Sequence, residues 1–87
     1  MFALLVKPAA WEKPKYRRVL DELAAQGAYV FEGHTQDDIS QEIAHLLKSH
    51  DQVTVVACGG DGTVHLLVNA VGDHPVTFAV IPMGTGN

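Results

Sequence analysis

Residues 52–63 read QVTVVACGGDGT, and the fold follows from how this stretch is understood. Its first half, residues 52–57, is an apolar run rich in β-branched side chains, as a buried strand requires. Its second half sets Gly59, Gly60 and Gly62 around Asp61, ahead of a run with helical spacing. Glycine permits positive φ and carries no Cβ, so the turn is expected to bring its backbone close to a ligand. A helix that starts there offers free N–H groups and the positive end of its dipole, which suits a phosphate.

Outward from this turn, strands and helices alternate. Residues 2–7 (FALLVK) form a short apolar run stopped by Pro8 and are expected to be a buried strand. Over residues 13–26 the apolar positions Tyr16, Val19, Leu20, Leu23 and Ala24 define one helix face. Pro14 fits the first turn of that helix and Gly27 its C-terminal stop. Residues 28–32 (AYVFE) give the second strand. Thr35, with Asp38 three residues on, is the expected N-cap of a second helix striped with Ile39, Ile43, Leu46 and Leu47. A third helix, residues 63–71, carries Val64, Leu67, Val68 and Val71 on its apolar side, and at about 100° per residue Leu66 lies nearly opposite. Residues 76–81 (VTFAVI) are the fourth strand, and residues 82–87 (PMGTGN) a second glycine loop.

A β-α-β-α-β-α-β order implies an α/β fold, a Rossmann-like three-layer sandwich around a parallel sheet. Strand order 2-1-3-4 is expected, with the first helix on one face and the other two on the opposite face. The switch point then falls between strands 1 and 3, where the loops at residues 8–12 and 59–62 flank one crevice.

The bulk numbers agree. The chain has 87 residues, 47% of them hydrophobic and 18% charged, enough for one small globular domain. A single cysteine, Cys58, excludes an internal disulfide and fits a reducing compartment, so a cytoplasmic protein is expected. No apolar run is long enough to span a membrane. The net charge of −4 argues against nucleic acid as a partner. Five of the six basic residues, Lys7, Lys13, Lys15, Arg17 and Arg18, nevertheless fall within residues 7–18. Such a patch is either the solvated side of a helix or a peripheral contact for an anionic membrane surface. His34, His45, His50, His65 and His74 show no metal-ligand spacing.

Two common phosphate motifs do not fit. Walker A needs a lysine directly after its last glycine, where this chain has Thr63 and Val64. The dinucleotide fingerprint needs a third glycine, where this chain has His65.

The pair GGDGT (residues 59–63) and P-x-G-T-G-N (residues 82–87) resembles the N-terminal, ATP-binding part of the diacylglycerol kinase catalytic domain. That family includes bacterial lipid kinases and the sphingosine and ceramide kinases. GGDGT alone is shared with NAD kinases, and the second loop points to the lipid-kinase branch. The resemblance covers nearly the whole chain. It implies that Gly59, Gly60, Asp61, Gly62, Thr63, Val64 and His65 wrap the phosphates of ATP, with Thr85 and Thr35 also reaching the nucleotide. It further implies that Asp61 acts through Mg2+, directly or by bound water, or by orienting the phosphate end. Apart from the resemblance, Asp61 fits a turn aspartate and Thr35 a helix cap.

The chain departs from the family in two places. Its first loop reads Lys7-Pro8-Ala9-Ala10-Trp11, where the family usually has Asn-Pro-x-Ser-Gly. A hydroxyl and a flexible glycine are missing, and Lys7 and Trp11 are candidates to compensate, by charge and by covering adenine. In the third helix His65 and Leu66 stand where the family usually has Asn-Glu.

The resemblance also implies a C-terminal β-rich, lipid-binding domain beyond these residues, holding the acceptor site and general base. Residues 1–87 are accordingly expected to be the nucleotide-binding portion of a lipid kinase, with an incomplete sheet, no kinase activity in isolation, and self-association through the uncovered edge. An NAD kinase-like enzyme and a non-catalytic remnant are the alternatives.

Overall fold

In the computed structural model, which describes residues 1–7 and 12–82, the apolar run at the centre of the chain is an interior strand. This strand, β3 (Thr54–Gly59), has neighbours on both sides and buries four consecutive residues, Val55 to Cys58. It pairs in parallel with β1 (Phe2–Val6), setting Leu4 beside Val56 and Val6 beside Cys58. On its other side it pairs in parallel with β4 (Thr77–Pro82), setting Val55 beside Phe78 and Gly59 beside Pro82. β2 (Tyr29–Glu32) flanks β1, with Val6 opposite Glu32. The order β2-β1-β3-β4 is the one the alternation implied.

Parallel neighbours need crossovers, and helices supply them. These are α1 (Pro14–Ala25), α2 (Gln36–Ser49) and α3 (Asp61–Val71). Successive strand residues face opposite ways, so the interior divides into two layers. Ala3, Leu5, Val55 and Ala57 pack against Ile39, Ile43 and Leu46 of α2 and Leu67, Ala70 and Val71 of α3. Leu4, Val6, Val56 and Cys58 pack against Leu20 of α1, with Tyr16 and Leu23 at its margin. The three-layer arrangement, one helix on one face and two on the other, is therefore observed.

Local signals explain the helix ends. Pro14 occupies the first turn of α1, where its missing N–H costs nothing. Gly27 follows α1 with φ 101°, a conformation side chains disfavour. Thr35 caps α2, its hydroxyl accepting from the Asp38 N–H at 3.1 Å. At the far end of α3, the Ser40 hydroxyl and His74 Nε2 lie 3.0 Å apart and tie α2 to the turn before β4.

Two expectations need correction. β3 runs on through Cys58 and Gly59, and α3 begins at Asp61, so both elements consume residues assigned to the turn. The apolar side of α3 is also rotated from the expected one. It buries Thr63, Leu67, Ala70 and Val71, while Val68 is 45% exposed. With Thr63 and Ala70 included, the centre of the face moves about 60° around the helix. Leu66 then lies at its margin, half-buried against the α2–α3 layer, rather than opposite the core.

Candidate functional site

Gly60 alone separates β3 from α3, so the chain passes from sheet to helix within one residue. It does so without the positive φ expected of this turn: among the described residues only Gly27 and Gly72 have positive φ. The demand for glycine here is steric. A Cβ on Gly59 would lie 2.7 Å from the Thr63 hydroxyl oxygen and 3.1 Å from the Thr63 Cβ. Thr63 is buried, 4% exposed, so it has little room to withdraw. At Gly62 the demand is different. Among the described residues a Cβ there would meet only the Lys7 ammonium nitrogen, at 3.7 Å, so none of them crowds the backbone at this point.

The two helices that start at the C-terminal edge of β2 and β3 begin differently. α2 is capped by Thr35, whereas Gly60 provides no side-chain cap to α3. The Thr63 and Val64 N–H groups donate to the Gly60 carbonyl, both at 3.1 Å. Those of Asp61 and Gly62 have no backbone acceptor among the described residues. Free amides, a dipole end and missing side chains at one point make an anion cradle. Asp61 and Gly62 are exposed, and Gly59 and Gly60 half-exposed, so the cradle is open to solvent.

Strand order sets what surrounds it. Val6 is level with Cys58, so Lys7 leaves β1 beside Gly59. Val6 is also level with Glu32, so Thr35 lies past the same edge, one strand further out. Thr35, Lys7 and the segment Gly59–Gly62 thus follow one another along a single edge, at the switch point expected from the sequence. Thr35 has the capping role; its exposed hydroxyl can still donate. Val64 is half-buried and His65 exposed on the first turns of α3, where Asn69 Nδ2 donates to the His65 carbonyl at 2.9 Å. Thr85, the second glycine loop and Trp11 lie outside the described residues.

Asp61 is the acidic residue of the first turn of α3. The described residues contain no group of three His, Cys, Asp or Glu side chains able to hold a metal ion. A single exposed carboxylate fits Mg2+ that takes its other ligands from phosphate and water. The uncapped amides fit the phosphates themselves. Cys58, next to the cradle in sequence, takes no part: it is buried, and desolvation pushes its thiol up to about 11.

Gly33 was not foreseen. It is buried, and a Cβ there would collide with the Ile39 side chain and come within 3.1 Å of Leu5 Cδ1. Only a glycine lets α2 settle on the sheet and bring Thr35 to the edge. Lys13, Lys15, Arg17 and Arg18 are exposed at the start of α1. Arg17 approaches Asp21 at 4.0 Å, and the Lys13 ammonium lies 5.6 Å from the centre of the Tyr16 ring. A depression of about 290 Å3 lined by Asp51, Gln52, Val53, Thr54, Pro75 and Thr77 opens at the opposite, N-terminal edge of the sheet and contains none of the expected site residues.

Comparison with known proteins agrees with this geometry. A family model described as "Diacylglycerol kinase catalytic domain" matches residues 4–87. Among solved structures the chain is similar to "A putative diacylglycerol kinase from Bacillus anthracis str. Sterne", with 25% identity and a TM-score of 0.65. The match covers 97% of this chain and 32% of that one, so the chain spans about a third of its length. No curated protein matches.

Proposed function

The chain belongs to the diacylglycerol kinase catalytic domain family, and we propose that it holds the phosphate tail of ATP for transfer of the γ-phosphoryl group to a lipid hydroxyl of diacylglycerol type. The observation that carries this reading is the uncapped start of α3, where the Asp61 and Gly62 N–H groups have no backbone acceptor among the described residues, beside a glycine-opened edge. Phosphoryl transfer depends mainly on positioning and charge stabilisation, and this segment supplies the donor half of both.

In this mechanism the first-turn amides of α3 bind phosphate oxygens, and the bare Cα of Gly62 lets the anion approach the backbone. Asp61 is the carboxylate that would hold Mg2+ together with the phosphates. Mg2+ neutralises phosphate charge, which would otherwise repel that carboxylate. Gly59 and Thr63 fix the angle at which the helix leaves the strand. Thr35 holds the start of α2 at the neighbouring edge and offers its hydroxyl proton to the nucleotide. The acceptor lipid and the general base belong to the remainder of the catalytic unit. No helix among the described residues is long and apolar enough to cross a membrane.

The test is calorimetric titration of Mg-ATP into the full chain and into Gly62→Asp. An acidic residue in the first turn is favourable for a helix and faces open space here, so the variant should fold. Its carboxylate should repel phosphate and abolish binding. Failure of the unaltered chain to bind Mg-ATP, or undiminished affinity in the variant, would refute the proposal.

A further inference from the structure

We propose that Lys7 is a phosphate-binding residue of this chain, its ammonium closing the cradle from the β1 side; the inference rests on the nucleotide-binding reading above and adds a ligand to that site. Lys7 follows the last residue of β1, and the register Val6–Cys58 brings it out beside Gly59. Its side chain, although exposed, reaches across the switch point. The ammonium nitrogen lies 3.7 Å from the place a Gly62 Cβ would occupy, over the first turn of α3.

That placement is electrostatically unfavourable on its own. A cation is disfavoured at a helix N-terminus, where the dipole and the free N–H groups are already positive. A nearby carboxylate would resolve the conflict, but no ion pair joins Lys7 to Asp61 or to another carboxylate among the described residues. Two positive features thus converge on one small space that Gly62 keeps empty. An anion bound between them satisfies both. The local sequence makes the same demand. Residues 8–11 are Pro-Ala-Ala-Trp, so the first loop offers no side-chain hydroxyl and no charge for a phosphate. Lys7 supplies the missing interaction as a point charge, which tolerates variation in phosphate geometry where a hydroxyl would not.

The ligand class is a nucleoside polyphosphate, recognised at its phosphates rather than its base. Removing Lys7 should therefore weaken ATP and leave adenosine unchanged. It should also reduce the salt dependence of ATP binding, since one fewer charge contact is screened.

The experiment titrates ATP and adenosine, at low and at moderate ionic strength, into the full chain and into Lys7→Ala, Lys7→Gln and Lys7→Arg. Lys7 is exposed, and circular dichroism will show the variants folded. The expected result is an ATP affinity about tenfold lower for the Ala and Gln variants, the scale of one charge-assisted hydrogen bond at an exposed site, with Arg near the unaltered chain. Equal ATP affinity across the series overturns the role of Lys7 and leaves the nucleotide reading intact. A parallel loss for adenosine also overturns it, by showing a structural effect. No ATP binding by the unaltered chain overturns both.

Discussion

The Thr63 hydroxyl oxygen stands 2.7 Å from the point at which a Cβ on Gly59 would be built. The last residue of β3 and the third residue of α3 are therefore in mutual contact, and the strand–helix angle depends on the smallness of one and the burial of the other. Gly59→Ala should destabilise the fold by about 1–3 kcal/mol, the usual cost of overpacking a closed site. Urea unfolding checks this. Thr63→Ala in the same chain removes the nearest of the opposing atoms, so the double variant should be less destabilised than the two single losses added together. Strict additivity would count against the contact.

Thr35→Ala removes the cap of α2 and should cost about 1 kcal/mol in thermal or chemical unfolding. Thr35→Asn keeps a capping oxygen and should restore most of the loss. If the hydroxyl also reaches the nucleotide, the Asn variant will be stable yet bind Mg-ATP more weakly; unchanged affinity limits Thr35 to the cap.

Cys58 should be unreactive in the native protein. Its thiol is pushed up to about 11 by burial, whereas in the unfolded chain it returns to about 8.5. The neutral thiol is the form the fold favours. Stability is therefore unaffected below about pH 8.5 and falls as pH rises from there toward 11, because the unfolded state loses its proton first. Labelling by a thiol reagent at pH 8 should proceed only as fast as the protein opens, and urea should accelerate it sharply. Rapid labelling of the folded chain would contradict the burial.

β4 leaves apolar surface on the α3 side of the sheet. Phe78 is 47% exposed and Val80 43%, although the residues level with them, Val55 and Ala57, are fully buried. The outer edge of β4 pairs with no strand among the described residues. Open edges and uncovered apolar side chains favour association between copies. Sedimentation should show mass increasing with concentration, and Phe78→Lys should shift it toward monomer. A monomer at every concentration would remove this expectation.

The layered architecture was legible because it depends on spacing alone. Alternating periods of about two and 3.6 residues, joined by right-handed crossovers, leave little freedom in the order of four parallel strands. The Thr35 cap and the Gly27 stop were legible because each has a local chemical cause. What failed depended on contacts across the fold. Ala70 and Thr63 belong to the buried face of α3 because α2 and the sheet close over them, and hydrophobicity alone ranked Val68 above both. Glycine at 59 and 62 is expected both for backbone angle and for the missing Cβ; the angle is not needed, and the missing Cβ makes way for Thr63 at Gly59 and leaves room beside Lys7 at Gly62. Gly33 announces nothing locally; its need appears only when Ile39 and Leu5 press on it from two other elements.

The unequal thickness of the two apolar layers bears on motion. Leu20 is the one residue of α1 that is fully sequestered, whereas α2 and α3 each contribute several. α1 also lacks a side-chain cap, acids in its first turn and bases in its last, and it opens with lysines at the positive end of its dipole. It is thus the element with the least to lose by detaching, and amide exchange along it should outpace exchange in α2. Slow breathing of that outer helix would therefore uncover the Leu4, Val6, Val56 and Cys58 face of the sheet while leaving the opposite layer intact.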